Sequence, residues 1–285
     1  MIKALLRKGD GLSSGRPWLR SVVRNAQLAL VDAGHLSDSD GRFGNGTRKA
    51  VVAFQTAAGL APSGTVDKGT WTSLDDHLQA ATGLRAEKAS EFLKGFDGDL
   101  EWIHEKEGHR GKPYWPGGMS GVTLDPGVDL GHATPELVEQ LYSELLKKSE
   151  LKTLSAVFGL KGEHARDALN AVPAVKAIRI SREQSSEVLP FAARPYWDQI
   201  VSRFRGLSRK DTPGSVQTAL LSLSYNRGPF NRGLEPLGEP LRNKRWSAVA
   251  QKIGSMQQRH KLKGIRIRRR HEALTIEAEL ELLDS

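Results

Sequence analysis

The sequence predicts a mainly α-helical protein of the α+β type, with two domains and one small antiparallel sheet in the second domain. Its 285 residues exceed the usual length of one small domain, and 38% of them are hydrophobic, enough to bury sizeable cores. Apolar residues recur at helical spacing over most of the chain. That spacing is lost over residues 108–131, where glycine and proline are frequent and short strand-like pieces remain.

The first domain, residues 1–80, is predicted to contain three helices. Apolar spacing over residues 17–34 predicts the first helix. Thr47 is the predicted N-cap of the second helix and Thr70 that of the third. Residues 81–91 are small and polar with weak periodicity, so we place a linker there.

The second domain, residues 92–285, is predicted to run from one helix through a small sheet to many helices. The first helix carries Phe92 and Phe96 and ends at Glu107, because Gly108 is a favourable stop. The later helices are predicted from their start signals or their apolar spacing: Thr134 with Pro135, Ser181 with Gln184, Thr212 with Pro213, and the ranges 246–253 and 265–283.

The composition narrows the chemistry available to this chain. It contains no cysteine, which excludes disulfides, thiolate metal sites and cysteine nucleophiles. The first ten residues lack an apolar run long enough for a secretory signal peptide, so we expect synthesis in the cytoplasm without such export. A formal net charge of +9 favours polyanionic partners.

An ordered set of motifs runs through the first domain: Asp40-Gly41-Arg42-Phe43-Gly44, Thr47, Ala50-Val51, Phe54-Gln55, Gly59-Leu60, Gly64, Val66-Asp67 and Thr70-Trp71. Over roughly residues 5–78 this set resembles the helical peptidoglycan-binding domain family. The resemblance implies affinity for the bacterial cell wall without catalysis, with Asp40, Arg42 and Trp71 as candidate wall contacts. Most of the apolar positions have a simpler interpretation as core residues, and Asp40 as the cap of a turn.

A second set of motifs covers roughly residues 92–285: Glu107-Gly108, Tyr114, Ser120-Gly-Val-Thr-Leu-Asp-Pro-Gly-Val-Asp-Leu-Gly-His132, Ala219 to Gly228, Gly264-Ile265, Arg268-Arg269 and Glu272. It resembles the phage-lysozyme superfamily, most closely its pesticin-like branch. The resemblance implies a lysozyme-like fold and a muramidase that hydrolyses the β-1,4 bond between N-acetylmuramic acid and N-acetylglucosamine. It also implies Glu107 as general acid, with Thr123 and Asp129 activating water, and Tyr114 and Asn226 as possible substrate contacts.

The residues themselves suit this chemistry, because hydrolysis of a glycosidic bond usually needs two carboxyl groups facing one cleft. Glu107 lies where a helix gives way to the sheet, a position that can be partly desolvated. Thr123 lies six positions before Asp129, and an even offset returns to the same face of an extended strand, although Pro126 and Gly127 are expected to turn the chain.

The second carboxylate has two candidates. Commoner phage lysozymes place an aspartate between the glutamate and the threonine, and this chain has no Asp or Glu from residue 108 to residue 122. The pesticin-like order, with Asp129 after the threonine, fits instead. Asp125 remains a rival for the same role.

Other classes of function are weaker. His104 and His109 are five residues apart, not the four that align two zinc ligands on one helical face, so we expect no metal and no cofactor. The basic run between Lys261 and Arg270 lacks aromatic residues for base stacking, so we expect no nucleic-acid partner. The same basic helix could instead perturb an anionic outer membrane.

Two rival activities stay open, a lytic transglycosylase acting on the same bond with one carboxylate and a non-catalytic wall-binding protein. The combination of a wall-binding module with a muramidase is typical of a phage endolysin. We expect a monomer that accumulates in the host cytoplasm and acts on peptidoglycan after its release. A prophage or bacteriocin origin would give the same pattern.

Overall fold

The computed structural model describes the backbone of residues 1–285 and every side chain except those of residues 84–90. The prediction of a mainly helical chain with one small antiparallel sheet is confirmed. The described residues form α1 (Arg20–Asp32), α2 (Asn45–Ala57), α3 (Lys68–Phe92), α4 (Leu100–Glu107), β1 (Thr123–Leu124), β2 (Val128–Asp129), α5 (Pro135–Tyr142), α6 (Lys148–Thr153), α7 (Gly162–Ala171), α8 (Pro173–Ala177), α9 (Arg182–Arg203), α10 (Gly214–Arg227), α11 (Gly238–Arg242), α12 (Trp246–Ser255) and α13 (Lys263–Leu283). Short 3-10 helices cover Pro17–Leu19, Leu154–Ala156 and Arg232–Leu237.

The chain divides into two compact units, which differ from the predicted domains. One unit combines Met1–Ile103 with Pro195–Ser285, and the other is His104–Arg194. The predicted linker at residues 81–91 falls inside helix α3, whose backbone continues to Phe92. The third helix therefore extends past the end of the predicted first domain, and the assignment of functions to the ranges 1–80 and 92–285 stays a prediction.

The unit formed by the two chain termini has a core built mainly on α1, α2 and α3. Apolar side chains spaced three and four residues apart on α1 are fully buried, as amphipathic spacing predicts. Two residues of α13, Ala278 and Leu282, belong to the same core. The last helix of the chain therefore completes the core around the first three helices. Other members of this core are Val22, Val23, Ala26, Leu30, Phe43, Val51, Phe54, Trp71 and Leu74.

Two predicted N-caps in this unit are wrong. Helix α2 begins after Gly44, and the Thr47 hydroxyl, already inside the helix, donates to the carbonyl of Arg42 at 3.2 Å. Helix α3 begins at Lys68, and Asp67 accepts the backbone N–H of Thr70 at 2.8 Å. Gly44, with an extended backbone, precedes α2, and Asp67 caps the start of α3. In both cases an earlier residue occupies the N-cap position that was predicted for the threonine.

The helix predicted from Phe92 to Glu107 is interrupted. Gly95 adopts a φ of +71°, and its Cβ, if present, would lie 2.6 Å from the backbone oxygen of Ser208, so only glycine fits there. Helix α4 then begins at Leu100, where the Asp99 carboxylate accepts the N–H of Trp102 at 3.0 Å. The predicted end at Glu107 is confirmed.

Only some of the basic residues at the start of α13 are exposed to solvent. Arg268 and Arg269 are buried around Glu272, which is 0% exposed and lies 2.7 Å from a guanidinium nitrogen of Arg269. The hydroxyl of Ser222 donates to the same carboxylate at 2.5 Å. Burial raises the pKa of Glu272, against the opposing effect of the two arginines. These two arginines therefore stabilise the interior of the unit instead of presenting charge to a partner.

The unit His104–Arg194 contains the sheet and the helices that surround it. Strands β1 and β2 pair antiparallel, and Tyr114 forms an isolated bridge with Thr123 on the other side of β1. The predicted start signals are confirmed, since Thr134 accepts the N–H of Leu137 at 3.3 Å and Ser181 and Gln184 bond each other reciprocally before α9. No helix among the described residues combines the length and apolar character needed to cross a bilayer.

Candidate active site

Glu107 is the last residue of α4. Gly108 follows with a φ of +78°, and its N–H donates to the carbonyl of His104 at 3.0 Å, which closes the helix. The side chain of Glu107 is partly exposed. The predicted location at the junction of helix and sheet is therefore confirmed.

Thr123 and Asp129 lie directly opposite each other in the β1–β2 ladder. Opposite residues of an antiparallel pair point to the same face, so both side chains share one face of the sheet. The expectation of a shared face is met, although the two residues sit on paired strands joined by a turn and not along one strand. The Thr123 side chain is 3% exposed, and its hydroxyl lies 3.4 Å from the carbonyl of Gly121.

The carboxylate of Asp129 is held by backbone N–H groups from two glycines. The N–H of Gly121 lies 3.0 Å from Oδ1 and 3.2 Å from Oδ2, and the N–H of Gly131 donates to Oδ1 at 2.8 Å. A Cβ on Gly121 would lie 2.4 Å from Oδ1, and one on Gly131 would lie 3.0 Å from it. Sequence analysis gave these two glycines no role, although both lie within the motif that it singled out.

Asp125 is enclosed by the loop that follows α4. It is 2% exposed, and its Oδ2 accepts the N–H groups of Arg110 at 2.8 Å and Gly111 at 2.6 Å. The Nδ1 atom of His109 lies 3.1 Å from the same oxygen. The contacts of this carboxylate therefore tie the loop at residues 109–111 to the sheet. Asp129, in contrast, keeps a partly exposed side chain.

Tyr114 pairs with Thr123 through backbone hydrogen bonds and lies beside Arg110, which belongs to the loop that follows α4. Its ring is partly buried beside Arg110, whose guanidinium carbon lies 5.2 Å from the ring centroid. Burial raises the pKa of Tyr114, and the negative charges of Asp125, Glu107 and Asp129 add to this effect, against that of Arg110. Sequence analysis singled out Tyr114 but missed Arg110, whose position beside the ring depends on the fold of the loop.

Asn226, the other predicted substrate contact, is an exposed residue near the end of α10 in the unit that contains the two termini. Helix α10 ends at Gly228, as predicted, with a φ of +81°. Among the described residues, no group of three or more His, Asp or Glu side chains is placed to hold a metal ion.

The predicted wall contacts in the first helices differ in accessibility. Trp71 is 1% exposed and its indole N–H donates to the carbonyl of Ala4 at 2.8 Å, so its predicted contact with glycan is corrected to a core role. Arg42 is exposed. Asp40 accepts the N–H of Arg42 at 2.8 Å and the side-chain amide of Gln27 at 3.0 Å, which makes it a turn cap.

The pKa of Asp40 reflects the same contacts. Burial acts to raise this pKa, but the hydrogen bonds from Gln27 and Arg42 and the positive charges of Arg42 and Arg20 outweigh burial and lower it. The carboxylate therefore stays ionised beside an exposed arginine.

Two family models match parts of this chain. Residues 20–74 match a model described as a putative peptidoglycan binding domain. Residues 96–211 match a second model, described as a domain of unknown function (DUF8812). The first match thus covers helices α1 and α2 and the start of α3. The second match covers Glu107, Thr123 and Asp129, and its description names no activity.

Comparisons with whole proteins add little. No curated protein matches the chain. Among solved structures, the chain is similar to the Burkholderia AP3 phage endolysin, with 16% sequence identity over 99% of this chain and 100% of that chain. The TM-score of this pair is 0.21, too low for the two backbones to count as one shared fold.

Proposed function

We propose that this chain is a modular cell-wall hydrolase of the endolysin type, whose first helices bind peptidoglycan and whose Glu107 and Asp129 cleave its glycan strands. The match of residues 20–74 to a putative peptidoglycan binding domain supports the first half of the proposal. The arrangement of carboxyl groups in the unit His104–Arg194 supports the second half.

The observation that carries the catalytic assignment is the register of the sheet, which places Thr123 opposite Asp129 and pairs Tyr114 with Thr123, in the same unit as Glu107. Glycoside hydrolysis usually requires two carboxyl groups that face one cleft, and we assign these roles to Glu107 at the end of α4 and Asp129 in β2. Rigid elements hold both groups, because Glu107 ends α4 and Asp129 lies in the ladder opposite Thr123.

In the proposed mechanism, Glu107 protonates the oxygen of the β-1,4 bond between N-acetylmuramic acid and N-acetylglucosamine. Asp129 accepts a proton from the attacking water, and Thr123 helps to position that water. The backbone N–H groups of Gly121 and Gly131 fix the carboxylate while leaving lone pairs on Oδ2 for the water. We expect inversion at the anomeric carbon, as water activation by a separate carboxylate produces.

Asp125 is not the proposed second carboxylate. Its buried Oδ2 already accepts two backbone N–H groups and faces His109, so it supports the loop that follows Glu107. Asp125 is the more deeply buried of the two carboxylates, so we expect Asp125→Asn to lower stability more than Asp129→Asn does, whereas Asp129→Asn should lower activity more.

A lytic transglycosylase is the second candidate. The observation that favours it is that both oxygens of Asp129 already have backbone N–H groups near them, as a purely structural carboxylate would. A transglycosylase needs one acid and releases anhydro-sugar ends, whereas a hydrolase releases reducing ends. The products therefore separate the two candidates.

The test uses purified peptidoglycan, with mass analysis of the products and, separately, co-sedimentation to measure wall binding. Glu107→Gln is expected to reduce glycan release by about 100-fold or more, because general acid catalysis is lost, while wall binding is retained. Glu139→Gln, which changes an exposed carboxylate on α5, is the matched control and should retain full activity. Unchanged glycan release by Glu107→Gln would refute the catalytic assignment, and anhydro ends from the wild-type chain would favour the transglycosylase.

A further inference from the structure

The start of helix α13 carries exposed cations together with exposed large apolar side chains, and none of them belongs to the candidate active site. Leu262 immediately precedes the helix and is 63% exposed, and Ile267 in its second turn is 40% exposed. Lys261, Lys263 and Arg270 are exposed as well. We call these five residues the α13 patch.

Helical spacing aligns the helical members of the α13 patch on one face of α13. Lys263 and Ile267 are four residues apart, and Arg270 follows three residues later, so the three side chains lie along one stripe. Arg268 and Arg269 are buried on the other side of the helix. The stripe is therefore the side of α13 that faces solvent, and the interior of the unit does not use it.

Hydrogen bonds hold the turn before α13 in place. The guanidinium group of Arg266 donates to the carbonyl of His260 and, at 3.3 Å, to that of Lys261. The N–H of Leu262 donates to Nδ1 of His260 at 3.1 Å. The turn thus presents Leu262 at the surface in a fixed position, so a partner that covers this side chain has little ordering cost to overcome.

The charge around these apolar side chains has one sign. Residues 240–271 contain many Lys and Arg residues and no Asp or Glu. Among the described side chains, none forms an ion pair with Lys261, Lys263 or Arg270. The positive charges of the α13 patch are therefore uncompensated, which favours an anionic partner.

We propose that the α13 patch docks on an anionic phospholipid bilayer. Leu262 and Ile267 enter the boundary between the headgroups and the acyl chains, and the cations of the patch lie at the lipid phosphates. Exposed apolar side chains among Lys and Arg on one face of a helix are typical of segments that lie in the membrane interface. Each basic residue near an anionic leaflet adds attraction to the surface.

A lipid surface accounts for both the charged and the apolar members of the α13 patch. Nucleic acid would match the cations, but its phosphate backbone would leave Leu262 and Ile267 uncovered. A second copy of the chain docking through the same patch would bring like charges together. The inference goes beyond the proposed function, since it concerns adsorption to a membrane and not cleavage of the wall.

The test measures co-sedimentation of the full-length chain with lipid vesicles. One set of vesicles is phosphatidylcholine, and the other is an equimolar mixture of phosphatidylcholine and phosphatidylglycerol. We expect the mixed vesicles to bind the chain about tenfold or more tightly than the neutral ones, because the cations are attracted to the anionic headgroups. Equal binding to both sets would overturn the proposal.

Two double variants test the apolar and the charged members of the α13 patch separately. Leu262→Ser with Ile267→Ser removes the apolar side chains, and Lys261→Gln with Lys263→Gln removes two charges. Each double variant should weaken binding to the mixed vesicles by about tenfold or more, because apolar burial or electrostatic attraction is lost. All four side chains are exposed, so the fold should be retained, and thermal unfolding verifies this.

The matched controls change exposed residues of the same types elsewhere in the chain. Leu137→Ser with Leu283→Ser is the control for the apolar pair, and Lys147→Gln with Lys148→Gln is the control for the charged pair. Both controls should bind the mixed vesicles like the wild type. Equal binding by either patch variant and its control would overturn the assignment of the docking surface to the α13 patch.

A fluorescent label locates the contact while leaving every cation in place. The chain contains no cysteine, so Leu262→Cys or, as the control, Leu283→Cys creates one unique site for an environment-sensitive fluorophore. Mixed vesicles should shift the emission of the label at position 262 to shorter wavelength, because that label enters an apolar environment, and leave the label at position 283 unchanged. An unchanged spectrum at position 262 would overturn the insertion of this side chain.

Duplex DNA provides the arm that distinguishes lipid from nucleic acid. Tighter binding of duplex DNA than of mixed vesicles, dependent on Lys261 and Lys263, would overturn the proposal in favour of a nucleic-acid partner. Weaker binding of DNA supports the lipid surface. None of these outcomes bears on the hydrolase test, because the vesicles and the DNA contain no peptidoglycan.

Discussion

Asp129 shows at the scale of single residues what a sequence can and cannot reveal. Its place beside the turn at Gly127 and its order after Thr123 were readable from the sequence. Its hydrogen bonds to the N–H groups of Gly121 and Gly131 were not, because they depend on how the hairpin closes. Local signals such as the Gly108 stop after Glu107 are readable, since they act within one turn of helix.

Gly121→Ala tests whether this backbone support matters for activity. The new Cβ would lie 2.3 Å from the backbone nitrogen of Gly131 and 2.4 Å from Oδ1 of Asp129, so the carboxylate must shift. We expect a loss of stability on the order of 1–3 kcal/mol from overpacking. Displacing a reacting group can also reduce turnover by about 100-fold. Thermal unfolding and glycan release measure the two effects.

Gly46→Ala is the matched control for this substitution. Gly46 lies in the first turn of α2, and a Cβ there meets nothing within 4 Å. Alanine is favoured over glycine in a helix by about 0.8–1.0 kcal/mol, so this variant should be as stable as the parent or more stable. Full activity of Gly121→Ala would show that Asp129 needs no such support.

At the scale of elements, the sequence predicts a helix start correctly where only one side chain can cap it. The prediction fails where a neighbouring residue can occupy the N-cap position instead. Thr134 and the pair Ser181 and Gln184 cap α5 and α9 as expected. Asp67 precedes Thr70 by three residues and accepts the N–H of Thr70 itself, so the helix begins before the threonine that was expected to cap it. Apolar spacing alone also could not reveal the break between α3 and α4, because Gly95 is required there by a distant backbone contact.

Asp99 at the start of α4 gives a pH-dependent prediction. Burial raises the pKa of Asp99, so the folded state binds the proton more tightly than the unfolded state does. The free energy of unfolding should therefore fall as pH rises from the ordinary aspartate range to the raised pKa in the folded state. Asp99→Asn keeps an oxygen for the N–H of Trp102 and removes the titration. Its stability relative to wild type should therefore grow with pH across this window and then stay constant.

Urea unfolding over pH values of about 4 to 8 measures this difference. Asp97→Asn, at an exposed aspartate two residues earlier, is the control for the substitution itself. A pH-independent difference between Asp99→Asn and wild type would mean that Asp99 does not hold its proton more tightly in the folded state.

At the scale of the whole molecule, the boundaries of the compact units were not readable from local patterns. The predicted linker at residues 81–91 is polar and weakly periodic, yet the helix continues through it. The core around α1 to α3 also includes Ala278 and Leu282, from the other end of the chain. Such long-range contacts leave no periodic signal in the sequence, since apolar spacing identifies a buried face without identifying what covers it.

This shared core implies that helices α1 to α3, the proposed wall-binding part of the chain, depend on the last helix for stability. Leu282 is 3% exposed within the core, whereas its neighbour Leu283 is 52% exposed. Leu282→Ala should lower the free energy of unfolding by about 2–5 kcal/mol, because it removes buried methyl groups and leaves a cavity. Leu283→Ala, the same substitution one residue later, should change stability by at most about 0.5 kcal/mol.

Amide hydrogen exchange in α1 to α3 provides the decisive measurement. Faster exchange in Leu282→Ala but not in Leu283→Ala means that α13 stabilises those helices. Unchanged exchange there would show instead that the first helices form an independent domain, as the sequence alone had suggested.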